Sequence, residues 1–282
     1  MDSAENKTLP RKRLWPVITK LLVFAIVTLG VVASLIFSQL PDALKLKKEY
    51  PIFFYNEKNQ TASVQFLKTK PSHWVSINEI SDKAIGAIVV SEDWSFFSHP
   101  GYDLGEIQSA FFSFFTGRRL RGASTITQQT AKNAFFDHDR SWWRKIKELF
   151  VAIDLEKHFE KKEILEIYLN LIEFGEGVYG ILNASHHYFR KHPLDLSAKE
   201  GAFLAMLLPN PTVYSQSFRD QELTEFAEKR IQTILTKMER KGYLSADELE
   251  IQRDSLLRFE RVPKPSVESI ESELESHEVY QY

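Results

Sequence analysis

An uninterrupted apolar segment near the N-terminus constrains this chain more than any other feature. Residues 21–37 contain no charged side chain. With residues 38–40 the segment reaches the ~20 residues that cross a ~30 Å hydrocarbon layer as a helix. Basic residues precede it, so the positive-inside rule predicts a cytoplasmic N-terminus and an exported remainder. A cleaved signal peptide is the alternative, although the apolar run is long and no clear Ala-x-Ala site follows. The basic residues are Lys7, Arg11, Lys12, Arg13 and Lys20.

Composition narrows the function classes that remain. The formal net charge is −2 and no zinc-finger or related signature occurs, so nothing indicates a nucleic-acid partner. The absence of cysteine excludes disulfides, thiolate zinc sites and cysteine nucleophiles. Hydrophobic residues make up 43% of the chain, which is enough for a packed core.

The sequence pattern divides the chain into five segments. It predicts a mainly helical domain preceded by a transmembrane helix and a connecting neck, with polar tails at both ends. In chain order these are a cytoplasmic tail (1–13), a transmembrane anchor (14–40), a neck (41–75), a helical domain (76–260) and a disordered acidic tail (261–282). Two pieces of the neck, 50–54 and 63–67, are expected to be extended.

Capping residues predict several helix boundaries inside the helical domain. Ser81 precedes an apolar run and can cap a helix there. Ser197 and Ser245 each stand three positions before a glutamate, which is a capping box. Gly242 is expected to end the helix before it.

The first segment with chemical potential is an acidic pair followed by aromatic residues. Glu92 and Asp93 end an apolar run, and Trp94, Phe96 and Phe97 follow. A carboxylate desolvated by such neighbours has a raised pKa and is suited to proton transfer. Two solvated acids at a helix end are the plainer interpretation, which the aromatic residues alone do not displace.

The second segment is a polar helix face. If a helix begins at about Ser124, hydroxyls, amides and one ammonium share two adjacent rows. A helix N-terminus with these groups suits an anionic, hydroxyl-rich ligand such as a glycosyl phosphate; an ordinary solvated face is the alternative. The residues of this face are Ser124, Thr125, Gln128, Gln129, Lys132 and Asn133.

The third segment places Arg144 and Glu148 four positions apart among apolar residues. A glutamate in such a position is costly to bury unless it is paired. Arg144 could therefore hold Glu148, both could face a ligand, or the two could form a surface ion pair worth ~0–1 kcal/mol.

A fourth segment combines aromatic and basic side chains. A helix is predicted to begin at Asp103 and end at Gly117, and residues 110–121 hold four phenylalanines followed by three arginines. Core packing and a membrane interface that binds anionic lipid or pyrophosphate are both compatible with this pattern.

Five motifs in order resemble glycosyltransferase family 51, which includes monofunctional transglycosylases and the glycosyltransferase module of class A penicillin-binding proteins. They cover about residues 85–214. The motifs are Glu-Asp-x-x-Phe-x-x-His-x-Gly from Glu92, Gly-x-Ser-Thr-Ile-Thr-Gln-Gln-x-x-Lys-Asn from Gly122, Arg-Lys-x-x-Glu from Arg144, Ile-Leu-Glu-x-Tyr-Leu-Asn from Ile164 and Leu-Ser-x-x-Glu…Leu-Pro-Asn-Pro from Leu196.

The resemblance implies a lysozyme-like, two-lobed helical fold that polymerises lipid II. Glu92 matches the general base that deprotonates the acceptor GlcNAc 4-hydroxyl. That oxygen attacks C1 of the donor MurNAc with inversion, and undecaprenyl pyrophosphate leaves. Glu148 matches a second essential glutamate, which positions the donor or assists departure of the leaving group.

The resemblance also implies a set of substrate-binding residues. Lys132 and Arg144 match residues that bind the pyrophosphate or a nearby sugar phosphate. The complete set expected to bind substrate is Asp93, Ser124, Thr125, Gln128, Gln129, Lys132, Asn133, Arg144 and Lys145.

The partners that the resemblance implies are lipid II, a lipid-linked glycan strand and the inner membrane, with other cell-wall synthases as further candidates. The resemblance also implies that the catalytic domain is periplasmic. The sequence indicates no required cofactor. Some relatives use a divalent cation, so Mg²⁺ and Mn²⁺ are candidates. No Ser-x-x-Lys motif occurs, so transpeptidation is not expected. A lytic enzyme and a non-catalytic scaffold are the alternative functions.

Overall fold

The computed structural model describes residues 15–38, 40–56, 61–102, 124–136 and 142–261. Four sequence predictions lie outside these residues: the cytoplasmic tail, the helix from Asp103 to Gly117, the aromatic and basic segment 110–121, and the acidic tail. The helical content of the described residues confirms the mainly α fold class.

Helix α1, Trp15–Phe37, lies within residues 14–40, the predicted anchor. It is long and apolar enough to cross a membrane, and the side chains of its most apolar stretch are exposed. Its last ring, Phe37, lies 4.8 Å from the ring of Phe150, measured between centroids. The C-terminal end of the anchor therefore contacts the helical domain.

The predicted neck contains a short 3₁₀ helix, Ala43–Lys47, and a β-hairpin. Strand β1, Tyr50–Asn56, pairs antiparallel with strand β2, Thr61–Leu67, in a register that places Tyr50 opposite Leu67. The two extended pieces expected from sequence are thus confirmed. Because β1 packs against a helix of the domain, this part of the neck is integrated into the fold. The boundary at residue 75 itself stays a prediction.

Ten further helices and a small hairpin follow among the described residues. In chain order the helices are α2 Asp82–Glu92, α3 Ile126–Phe135, α4 Trp142–His158, α5 Lys161–Leu171, α6 Ile181–Phe189, α7 Ala198–Leu207, α8 Pro211–Tyr214, α9 Gln216–Asp220, α10 Glu225–Arg240 and α11 Ala246–Asp254. Strands β3, Glu173–Gly175, and β4, Val178–Tyr179, form the hairpin between α5 and α6.

The helices pack most extensively into two groups. Helices α2, α7, α10 and α11 form one, and α3, α4 and α5 form the other. This arrangement fits the two lobes expected from the sequence. Gly201 on α7 shows how closely the first group packs, because a Cβ there would lie 2.6 Å from the Ala84 Cα on α2.

Local capping signals placed most helix boundaries correctly. Ser197 and Ser245 are N-caps whose hydroxyls accept hydrogen bonds from the third backbone N–H of their helices, completing both predicted capping boxes. Gly242, with φ of +78°, follows α10 as expected. The predicted start at Ser124 is corrected: α3 begins at Ile126, because the Thr125 hydroxyl accepts from Gln128 N and makes Thr125 the N-cap.

The motif on α5 fastens the segment before α2 to the second helix group. The buried Asn170 amide exchanges hydrogen bonds with the backbone of Val75, accepting from its N–H and donating to its carbonyl, each at 2.8 Å. Glu166 accepts from Trp74 Nε1 and Ile77 N, each at 2.9 Å. These two motif residues therefore have a structural role: they hold the segment before α2 against α5.

Candidate active site

Glu92 is the last residue of α2 and lies half-buried beside α3. Its Oε2 accepts a hydrogen bond from Gln129 Nε2 at 3.0 Å. The hydroxyl of Tyr168, a fully buried side chain on α5, donates to Gln129 Oε1 at 3.3 Å. Tyr168 thereby fixes the amide orientation in which Gln129 donates to the carboxylate.

The pKa of Glu92 is raised above its ordinary value. Burial of the carboxylate is the main cause, and the neighbouring charge of Asp93 adds to it. The hydrogen bond from Gln129 and the positive charges of Arg230 and Lys237 act in the opposite direction. A carboxylate with this balance is a stronger proton acceptor than a solvated glutamate.

Asp93 makes internal contacts that secure the site. Its Oδ2 accepts from the backbone N–H of Ile126 at 2.9 Å, at the first turn of α3. His99 Nε2 lies 2.9 Å from Asp93 Oδ1, and His99 Nδ1 accepts from Gly101 N at 3.0 Å. Since Nδ1 is an acceptor, Nε2 carries the proton that it donates to Asp93. These contacts favour a positioning role for Asp93, and the direct substrate contact expected from sequence stays a prediction.

Thr125 has a similar internal role. Its hydroxyl donates to the Gly101 carbonyl at 2.8 Å while it caps α3 through Gln128 N. Gly101 has φ of +81°, a conformation that favours glycine. The loop after Glu92 and the start of α3 are therefore joined at several points, which brings the first two motifs together.

Glu148 lies at the centre of a cationic cluster. Its side chain is 2% exposed, which excludes the alternative of a surface ion pair. Arg144 Nη1 is 3.2 Å from Oε1, as an ion pair without hydrogen-bond geometry, and Lys145 Nζ is 3.1 Å from Oε2. Lys145 Nζ also donates to Ser124 Oγ at 2.7 Å. The third motif thus adjoins the start of the second.

Lys132 completes this cluster from α3. Burial lowers the pKa of its ammonium group, Glu148 raises it, and the charges of Arg144 and Lys145 lower it. Within the described ranges no side chain or backbone group forms a hydrogen bond or ion pair with this ammonium. A desolvated cation in that situation is suited to binding an anionic group.

The two remaining residues of the predicted polar face lie on the same helix. Gln128 is buried and Asn133 is half-buried. Among the residues that the structure describes, no side-chain hydrogen bond of Gln128 or Asn133 assigns it to the site, so their substrate contacts stay predictions.

Several functional neighbours escaped the sequence analysis. The positive charges of Arg230 and Lys237 on α10 lower the pKa of Glu92, and Lys237 Nζ approaches the Val90 carbonyl at 3.5 Å. His99 and Tyr168 belong to recognised motifs, but their contacts join separate elements. For Arg230 and Lys237, the available sequence signal was their seven-residue spacing, which places both on one face of α10.

Over the described part of the chain, no group of three or more His, Asp or Glu side chains is arranged to hold a metal ion. The acidic side chains of the site are instead engaged by amide, imidazole, ammonium and guanidinium groups.

Several known proteins are similar to this chain in sequence. Residues 58–239 match the model of the transglycosylase family. The biosynthetic peptidoglycan transglycosylase of Cronobacter sakazakii is 37% identical over 223 residues, which are 78% of this chain and 88% of that protein. Penicillin-binding protein 1F of Bacillus subtilis is 42% identical over 186 residues, but this chain spans only 26% of its length.

A solved structure, penicillin-binding protein 1A from Haemophilus influenzae, is also similar, covering 54% of this chain and 19% of that chain at 23% identity. Its TM-score of 0.29 is too low to add to the description of the fold. The family match extends over well more than half of the 282 residues and includes Glu92, Lys132, Arg144 and Glu148. The chain belongs to the transglycosylase family.

Proposed function

We propose that this chain is a peptidoglycan glycosyltransferase that polymerises lipid II into β-1,4-linked glycan. The observation that carries the proposal is the position of α3. This helix lies between Glu92, a carboxylate with a raised pKa, and the cationic cluster around Glu148. Gln129, which contacts Glu92, and Lys132, which adjoins Glu148, are three positions apart and are therefore neighbours on the helix surface. An acceptor hydroxyl and an anionic leaving group can occupy adjacent positions in such a site.

Glu92 acts as the general base in this reaction. The acceptor 4-hydroxyl transfers its proton to the carboxylate while its oxygen forms a bond to C1 of the donor sugar. The C1–oxygen bond to the pyrophosphate breaks, and the lipid pyrophosphate departs with the electron pair. A base positioned in this way contributes ~10²–10⁴-fold to the rate.

The cationic cluster stabilises the departing pyrophosphate. Lys132, Arg144 and Lys145 provide positive charge where the leaving group develops negative charge, so no protonated acid is needed. The buried Glu148 carboxylate is paired with Arg144 and Lys145. Its role is to hold these two cations in place against their mutual repulsion.

The experiment that tests the proposal is incubation of the purified full chain with lipid II, followed by sizing of the glycan product. A polymer that lengthens with time is expected, and Glu92→Gln should reduce its formation by ~10²–10⁴-fold. Shortening of finished glycan strands instead would indicate a lytic enzyme, and no reaction on either substrate would indicate a scaffold.

The same assay tests the need for a divalent cation and the expected absence of transpeptidation. Chelation with EDTA and addition of Mg²⁺ or Mn²⁺ show whether a divalent cation contributes. Analysis for cross-linked peptides tests the expected absence of transpeptidation. We place the reaction at the outer face of the cytoplasmic membrane, where a lipid-linked glycan strand and other cell-wall synthases are the candidate partners.

A further inference from the structure

Trp94 is a large aromatic side chain that stays exposed next to the proposed base. It stands two positions after Glu92 and is 53% exposed. A single exposed apolar residue is common on protein surfaces and indicates nothing by itself. Trp94 differs from such a residue because its backbone is fixed, its ring is oriented by a cation, and that cation belongs to the element that also acts on Glu92.

The backbone around Trp94 is held on both sides. Phe96 N donates to the Asp93 carbonyl at 2.9 Å, which closes a turn with Trp94 and Ser95 at its two central positions. Before the turn, the Asp93 carboxylate accepts from Ile126 N at 2.9 Å. After it, the side chain of Phe96 is fully buried. The turn therefore presents the indole ring at a defined place.

A cation fixes the orientation of this ring. Lys241 directly follows α10, and its Nζ lies 3.7 Å from the centroid of the Trp94 ring. This is a cation–π contact, which occupies one face of the indole. Since more than half of the side chain is exposed nevertheless, the opposite face is accessible to a ligand.

Lys241 shares a helix face with two cations that act on the base. Arg230, Lys237 and Lys241 are separated by seven and four positions, a spacing that places them on one side of a helix. The charges of Arg230 and Lys237 lower the pKa of Glu92, so this face of α10 is near the carboxylate. Trp94 is thus associated with α10, whereas the cationic cluster around Glu148 belongs to α3 and α4.

This separation matches the geometry of the proposed reaction. In a displacement with inversion, the attacking oxygen and the leaving oxygen lie on opposite sides of C1. A leaving pyrophosphate at the cluster of α3 and α4 therefore places the acceptor sugar away from that cluster, beside Glu92. Trp94 is the large aromatic side chain exposed next to that position.

The chemistry of an indole suits a sugar ring. Its π face carries partial negative charge, and the axial C–H bonds of a pyranose present weakly positive hydrogens on an apolar face. A tryptophan also provides a large contact area at a low cost in conformational entropy, because only two side-chain torsions are fixed.

We propose that Trp94 is a stacking platform for the acceptor, with its open indole face against a pyranose ring of the disaccharide whose hydroxyl Glu92 deprotonates. This assignment rests on the proposed function. Trp94 binds the acceptor and takes no part in proton transfer. Its removal should therefore raise the KM for the acceptor with little change in kcat.

Binding can be measured without turnover. The full chain in detergent is labelled with fluorotryptophan and titrated with chitotetraose, a soluble β-1,4-linked N-acetylglucosamine oligomer, while fluorine NMR spectra are recorded. The spectrum of Trp94→Phe assigns the Trp94 resonance among the five tryptophans. A concentration-dependent shift of that resonance is expected, whereas Trp143, 58% exposed on α4, should not respond. Equal shifts of both resonances, or none at Trp94, would overturn the proposal.

Kinetics test the acceptor assignment. Initial rates are measured as lipid II is varied over a fixed lipid-linked glycan primer. Trp94→Ala should raise the KM for lipid II several-fold, and Trp94→Phe should recover much of the loss because it retains a π face. The matched control is Phe226→Ala, which removes a 52% exposed aromatic ring from α10. An effect confined to kcat, or to the KM for the primer, would contradict the assignment.

Failure of this assignment is distinguishable from failure of the proposed function. A chain that polymerises lipid II, but whose Trp94→Ala variant keeps its KM, would refute the platform alone. A chain that binds chitotetraose at Trp94 without polymerising lipid II would refute the proposed function and support a carbohydrate site at Trp94.

Discussion

Opposing influences on the carboxylate of Glu92 set the pH range in which it can act. Burial raises its pKa, whereas Gln129 and two cations of α10 limit that rise. In the proposed mechanism only deprotonated Glu92 can accept the proton, so activity should fall with decreasing pH at a higher pH than a solvated carboxylate would give.

Replacement of Gln129 by methionine should move the acid limb of the activity profile to higher pH. The amide donates to the charged form of Glu92 and stabilises it, so its loss raises the pKa of the carboxylate further. The pH dependence of kcat/KM on lipid II measures the shift. Asn183→Leu, which removes an exposed amide elsewhere, is the control. An unchanged acid limb would contradict the contribution of this hydrogen bond.

Glu92→Gln should stabilise the protein at neutral pH while it reduces polymerisation by ~10²–10⁴-fold. Because the folded-state pKa of Glu92 is raised, the folded protein binds more protons than the unfolded chain between the two pKa values. The free energy of unfolding therefore decreases as pH rises through that window. Chemical denaturation at neutral and acidic pH should show a stability difference that disappears below the unfolded-state pKa. A variant less stable than the natural protein at neutral pH would argue against this charge penalty.

At the scale of elements, the α5 motif connects the neck region to the site. Asn170 makes three hydrogen bonds through its side chain, two to Val75 and one to the Glu166 carbonyl. Through them, the segment that leads into α2 is aligned with α5, which also carries Tyr168, the hydrogen-bond donor to Gln129. The motif thus supports the position of Glu92, the proposed base, through contacts within the protein.

Asn170→Ala should lower the free energy of unfolding by about 2–4 kcal/mol, since buried backbone groups of Val75 lose their partners. Denaturant titration measures this loss. Asn183→Ala is the matched control, because its side chain is exposed and makes one hydrogen bond, to the Tyr179 carbonyl. Equal stabilities of the two variants would contradict the fastening role of Asn170.

The sequence predicted features that depend on neighbouring residues, and it missed contacts between distant parts of the chain. Capping at Ser197 and Ser245 depends on residues three positions apart, so the sequence located both helix starts. The contacts of Asp93 depend on Ile126, 33 positions later, and those of Arg230 on the packing of α10 against α2. Such long-range packing is not encoded in any local spacing, and these neighbours therefore became visible only in the folded chain.

At the scale of the whole molecule, the two helix groups meet around α3. The base ends α2 of one group, and the cationic cluster belongs to α3 and α4 of the other. The anchor joins the second group through Phe37. The half of the site that would bind a lipid-linked pyrophosphate is therefore the half nearest the membrane-spanning helix.

The basic residues before α1 predict that the domain lies outside the cytoplasm, and a topology measurement tests this prediction. Alkaline phosphatase fused after Tyr282 should be active in the full chain, because the basic residues before α1 retain the N-terminus in the cytoplasm. Deletion of residues 15–37 from the same fusion should abolish that activity, since nothing would then direct export. Activity in both fusions, or in neither while both accumulate, would contradict the orientation. Transfer of the four basic residues that precede α1 (Lys7, Arg11, Lys12 and Arg13) to its other side should reverse the result, because the charge asymmetry across α1 sets the direction of insertion.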